Sequence, residues 1–146
     1  MLAYHNDETL KLKAVESAEK HVELDMLIKG SYGKMNGQFH GCSVGCDAFD
    51  ITGEVPETGC HAITAKHYGF PEWLEHVRDS LFEGLPEHAS KNWHVDLKKA
   101  VPVGLDETGF NKVKAKFLVY ILKGNIDRVS DLDISSSLKT QVLDAI

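Results

Sequence analysis

The chain has 146 residues, 42% of them hydrophobic and 26% charged, with a formal net charge of -6. That length is enough for one domain with a core that needs no covalent staples. Lysine and arginine are scattered rather than clustered, which argues against a nucleic-acid footprint, and no apolar run approaches the ~20 residues that cross a bilayer.

The opening Met-Leu-Ala-Tyr-His-Asn-Asp is too polar for a secretory leader. Three cysteines make an odd set, so the thiols are expected to be reduced and the protein cytoplasmic.

Asp7 to Lys29 reads as a first helix. Leu10, Ala14, Val15, Ala18, Val22 and Met26 recur at helical spacing, Asn6 or Asp7 can cap the start, and Gly30 can end it. Gly30, Gly33, Gly37, Gly41 and Gly45 then make a helix a poor choice, so this stretch is expected to be a loop with a short hairpin at Asn36-Gly37. Asp47 to Glu57 is ambiguous.

Thr58 can cap a helix that runs through His67 to Gly69. Pro71 opens the next helix, with Leu74, Val77, Leu81 and Leu85 as its apolar face and Gly84 as its stop. Glu72, Glu75, His76 and Asp79 then read as the solvated side of that helix. Pro86 opens another helix, carrying Ala89, Trp93, Leu97 and Ala100 and ended by Pro102 and Gly104.

Lys112 to Lys123 is so apolar, with Val113, Phe117, Leu118, Tyr120, Ile121 and Leu122, that it is expected at the centre of the core and stopped by Gly124. Trp73, Trp93, Phe117 and Tyr120 are read as core. From about residue 125 a variable tail of one or two short helices follows, with Ser135-Ser136-Ser137 as a joint. The whole predicts a mainly α fold, a single compact domain of five to seven helices with a Gly/Cys-rich loop after the first helix.

The chemistry concentrates at Gly41-Cys42-Ser43-Val44-Gly45-Cys46 and Cys60-His61, with His40 and His67 nearby. Free cysteine packs as a small hydrophobe, so a buried structural turn is one reading. A zinc site is a second: Cys42 and Cys46 as thiolates on one helical turn, joined by Cys60, His61 or His40. Cys60 and His61, adjacent on a helix, point about 100° apart and do not grip one ion together. A nucleophile is the third reading, Cys42 or Cys46 with His61 as base, although no orienting acid stands out. Gly33-Lys34-Met35 lacks the Ser or Thr of a phosphate loop, and His5, His21, His88 and His94 are isolated in the sequence.

Tyr4-His5, Leu27-Ile28-Lys29-Gly30-Ser31-Tyr32, the Gly41 to Cys46 segment, His61, Gly69-Phe70-Pro71, Leu81-Phe82-Glu83-Gly84-Leu85-Pro86 and Ala100-Val101-Pro102-Val103-Gly104 together resemble an uncharacterised family of bacterial and phage proteins. The resemblance covers roughly the first 120 residues and implies no activity. It implies a shared site at Cys42, Cys46 and His61, without Cys60. The expectation is therefore a small binding or interaction protein with an unknown protein or small molecule as partner. The alternative is a small enzyme with a cysteine nucleophile or a metal, zinc foremost, at Cys42, Cys46 and His61; no organic cofactor fingerprint is present.

Overall fold

The computed structural model describes residues 1–131 and 136–144, and the chain is mainly α. Residues Met1–Glu107 form one compact unit and Thr108–Ile146 a second.

Asp7 caps α1 (Glu8–Glu23), its carboxylate accepting the Thr9 N–H at 2.8 Å. The helix ends at Glu23, well short of Lys29. Asp25 takes a left-handed backbone with φ 52°, and the Met26 N–H turns back to the His21 carbonyl at 2.9 Å. The chain then reverses, and Leu27 bridges to Gly41 rather than extending a helix.

The expected hairpin is present as β1 (Lys34–Asn36) and β2 (Gln38–His40), antiparallel about Gly37. The ambiguous stretch resolves into α2 (Ser43–Thr52), which starts inside the glycine-spaced loop with Cys42 in the N-cap position. Gly45 lets that helix lie against the backbone of Tyr32, because a Cβ there would overlap the Tyr32 carbonyl.

Gly59, not Thr58, occupies the N-cap of α3 (Cys60–Tyr68), and Gly69 stops it as expected. Pro71 and Pro86 precede α4 (Glu72–Gly84) and α5 (Glu87–Ala100). Within the first unit α1 packs on α2 and α5, α2 on α3 and α4, and α4 on α3 and α5. Leu27, Phe39, Cys42, Val44, Cys46, Ala48, Cys60 and Phe82 form one apolar cluster, with Trp93 packed partly buried against it.

At the N-terminus Tyr4, His5 and Asn6 all have left-handed backbones. This costs about 1–2 kcal/mol per residue, so the turn has to be held from outside. The Ala3 N–H donates to the Leu105 carbonyl at 2.9 Å, and the buried Tyr4 hydroxyl donates to the Lys98 carbonyl at 2.8 Å.

The second unit corrects the largest expectation. α6 runs Glu107–Asp131, straight through Gly124, so the boundary expected near residue 125 falls inside a helix. Its apolar run is not a core. Leu118 is 50% exposed and Tyr120 75% exposed, with Val113, Val119, Ile121 and Leu122 open as well. Intrinsic helix propensity and apolar content placed the helix, but content does not say whether anything covers it. α7 (Ser136–Leu143) begins at two of the three serines; Ser135 lies outside the described residues. No helix among the described residues is long and apolar enough to cross a membrane.

Candidate functional site

The centre of the first unit is ionic. Asp47 of α2 is fully buried and meets two cations, Lys98 Nζ on one oxygen and Arg78 on the other, both at 2.5 Å. Arg78 also pairs with Glu75 one turn earlier on α4, at 2.6 Å, and Glu75 accepts the Thr64 hydroxyl of α3 at 2.8 Å. Asp47, Glu75, Arg78 and Lys98 are each at most 1% exposed. Two acids and two bases make the cluster neutral as a whole, which is what lets it be buried.

Burial raises the Asp47 carboxyl, but Lys98 and Arg78 outweigh it and hold the group far below the usual carboxylate range. Burial lowers Arg78, and Glu75 with Asp47 reverses that, so it stays charged. Glu75 is raised by its burial despite Arg78, and Lys98 is lowered by burial against the pull of Asp47.

Two histidines connect this cluster to the surface. His21 of α1 and His94 of α5 are both buried, and His21 Nδ1 lies 3.1 Å from His94 Nε2 and 4.0 Å from Asp47 Oδ1. On the other side of its ring, His21 Nε2 lies 3.0 Å from Asp50 Oδ2, which also accepts the Ser17 hydroxyl. One proton arrangement satisfies this chain with neutral rings: His21 donates from Nε2 to Asp50 and accepts at Nδ1 from His94 Nε2–H. His94 Nδ1 is then an unprotonated nitrogen, and it has no hydrogen-bond partner among the described residues. Burial first, then Lys98, holds His94 well below an ordinary histidine, so the ring is neutral. Burial raises Asp50, but hydrogen bonds from His21 and Ser17 outweigh it and keep the carboxylate ionised.

Asp50, Ser17 and His21 open onto a cavity of about 660 Å³ between α1, β2 and α2. Its apolar wall is Leu24, Met26 and the stacked pair Phe39 and Phe49, whose ring centroids are 4.1 Å apart. Lys13, Glu16 and Lys20 stand on its α1 side. His21, Asp47 and His94 also bring three metal-type donors within 4.8 Å of one another. A divalent ion there would add two positive charges next to Lys98 and Arg78 in a dry interior, so the electrostatics oppose it.

The residues singled out in the sequence divide between two places. Cys42 and His61 both meet Asp79 of α4. The Cys42 thiol, Asp79 and Glu83 lie within 4.8 Å of one another, and His61 Nε2 is 3.1 Å from Asp79 Oδ2. Cys46 points away from them, its thiol donating to the Gly41 carbonyl at 3.4 Å. Cys60 is buried in the apolar cluster.

Burial raises all three thiols. Cys46 is pushed up to about 12, with Asp47 adding to the effect, and at Cys42 Asp79 adds to it. A thiol held protonated at neutral pH is the reverse of an activated nucleophile. Asp79 is the orienting acid that the sequence did not disclose, but it faces the thiol directly instead of standing behind the imidazole.

Glu75 corrects the reading of α4 as a helix with one solvated acidic side: it is buried and paired, while Glu72 and His76 remain exposed. His21 and His94, isolated in sequence, are partners in space. One signal for the core cluster was present, an aspartate inside the apolar run Val44-Gly45-Cys46-Asp47-Ala48-Phe49. A charge there must be paired if the helix is buried.

Comparison with protein-family models, with curated proteins and with solved structures finds no match for this chain. None of these comparisons supports the expected bacterial or phage origin.

Proposed function

We propose that the protein binds a small molecule in the α1–β2–α2 cavity and exchanges a proton with it through Asp50 and His21. One observation carries this reading: a hydrogen-bonded line from Asp50 at the cavity wall, through His21, to His94 beside the buried Asp47. A large cavity with an apolar wall and a few convergent titratable groups is the usual form of a ligand site. The stacked Phe39 and Phe49 suit a flat apolar body, and Ser17, Asp50 and His21 suit a polar head that gives or takes a proton.

The same cluster draws one or more groups from each of α1, α2, α3, α4 and α5, which is also what an internal framework would do. A framework has no need of the exposed end, however. Asp50 keeps 41% of its side chain open to solvent, and Ser17 is hydrogen-bonded to it at the cavity edge.

The test is ligand-observed NMR with a panel of small aromatic acids, amines and alcohols, followed by the His21 ring resonances of the labelled protein. Binders are expected to move those resonances and to bind at least about ten-fold more weakly to the Phe49→Ala and Asp50→Asn variants, about 1.4 kcal/mol in each case. A panel that leaves the His21 resonances still, or binds both variants as well as the wild type, overturns the reading.

A further inference from the structure

The corner where Cys42, Asp79 and Glu83 converge lies in a different part of the first unit from the α1–β2–α2 cavity. Cys42 is at the N-cap of α2, while Asp79 and Glu83 stand one turn apart on α4 and so project from the same face. They line a pocket of about 350 Å³, together with Gly30, Ser31 and Tyr32.

We propose that Cys42, Asp79 and Glu83 bind one zinc-type divalent cation, with a fourth position left open to the pocket. A thiolate and two carboxylates are within the donor repertoire of zinc, and three protein ligands plus one open position is the arrangement of its non-structural sites. The charge balance is the opposite of that around Asp47. Two carboxylates face this corner, and the charges acting most on Cys42 and Tyr32, Asp79 foremost, are negative. Lys29 is the cation on the adjoining loop, and its ammonium is taken up by the backbone carbonyls of Glu83 and Leu85.

Three details of this corner suit an ion. Asp79 Oδ1 is a buried oxygen with no N–H or O–H donor among the described residues, and the Cys42 thiol is the group beside the carboxylate. Cys42 is 1% exposed, yet it lines the pocket with its thiol within 4.8 Å of the Asp79 and Glu83 carboxylate oxygens. Finally, the ligand-bearing elements are already fixed. The Glu83 carboxylate accepts the Gly30 N–H at 2.9 Å, and His61 holds the other Asp79 oxygen at 3.1 Å, stacked on His76 at 3.9 Å. His61 thus acts on the ligand Asp79, as outer partners of metal sites do. This donor set keeps Cys42 from the expected trio, replaces Cys46 by two carboxylates and moves His61 out of contact with the ion. Binding exchanges the thiol proton for the metal: the S–H bond breaks, an S–metal bond forms, and one proton leaves to solvent.

The experiment is titration of the metal-free, full-length protein with Zn²⁺ by calorimetry in two buffers of different ionisation heat, and with Co²⁺ by absorption. The expected result is one ion per chain, about one proton released per ion at neutral pH, and a thiolate-to-cobalt charge-transfer band. Cys42→Ser should abolish the band. Asp79→Asn and the conservative Glu83→Gln should each weaken binding at least ten-fold while far-ultraviolet dichroism stays native, and Cys46→Ser should leave both readouts intact. Three results overturn the proposal: no binding at micromolar metal, binding indifferent to Glu83→Gln, or binding that survives Cys42→Ser but is lost in His94→Gln.

Discussion

Lys98 illustrates how much depends on single residues in this core. Removing one partner of a buried pair leaves the other charge uncompensated in a dry site, at a cost of roughly 3–5 kcal/mol. Lys98→Met is therefore expected to lower stability by about that amount in urea unfolding, although methionine fills nearly the same volume. Exposed pairs behave differently: Lys99 with Glu19, both about half exposed, is expected to contribute at most about 1 kcal/mol. The candidate sites were only partly legible at this scale. Cys42 and His61 attract notice by residue type, and both do arrive at one acid. Glu75, Arg78, His21 and His94 could not be picked out, because charged residues at helical spacing look the same whether they face water or a partner on another helix. Only contacts between residues far apart in the sequence, such as His21 with His94, reveal the difference.

Among the elements, those fixed by local stereochemistry were the legible ones. The hairpin at Asn36-Gly37, the stop at Gly69 and the starts after Pro71 and Pro86 all follow from backbone rules, and all are present. α2 is obscured in the sequence because its glycine serves packing against Tyr32 rather than a turn, and the exposure of α6 is hidden because apolar content does not report burial. These two helices make opposite predictions for the same change. Gly45→Ala must push the Tyr32 backbone away, and should destabilise by about 3 kcal/mol or more, an overpacking effect at the upper end of the usual range. Gly124→Ala meets nothing within 4 Å inside an exposed helix and should stabilise α6 by about 0.5–1 kcal/mol. Denaturant midpoints of the two variants, with helicity of the second followed by dichroism, check both signs.

For the whole molecule, the buried neutral histidine ties stability to pH. The folded pKa of His94 is depressed, by burial and then by Lys98, with Arg78 and His21 acting in the same sense and Asp47 opposing. Below the ordinary histidine value of about 6.5 the unfolded chain takes a proton that the folded ring refuses, so stability falls as pH drops. His67, also lowered by burial, adds to the same slope. Asp47 joins below about pH 4, where its depressed pKa turns protonation of the unfolded chain into a further loss. Glu75, whose folded pKa is raised by its burial, works against both in acid. Urea midpoints are expected to decline from pH 7.5 to 5.5, with a shallower decline in His94→Gln; a flat profile in the wild type would contradict a neutral buried ring. The ionic centre also has a consequence for how the chain assembles. Its members are separated by 73 positions between His21 and His94, and the Tyr4 hydroxyl reaches 94 positions along the chain to Lys98. Arg78 finds Glu75 and Asp47 without α5, but the cluster of two acids and two bases becomes neutral only when α5 brings Lys98 to Asp47. Local helices can form early, but closing the centre waits on encounters between residues far apart in the sequence, so topology rather than helix formation sets the clock for folding.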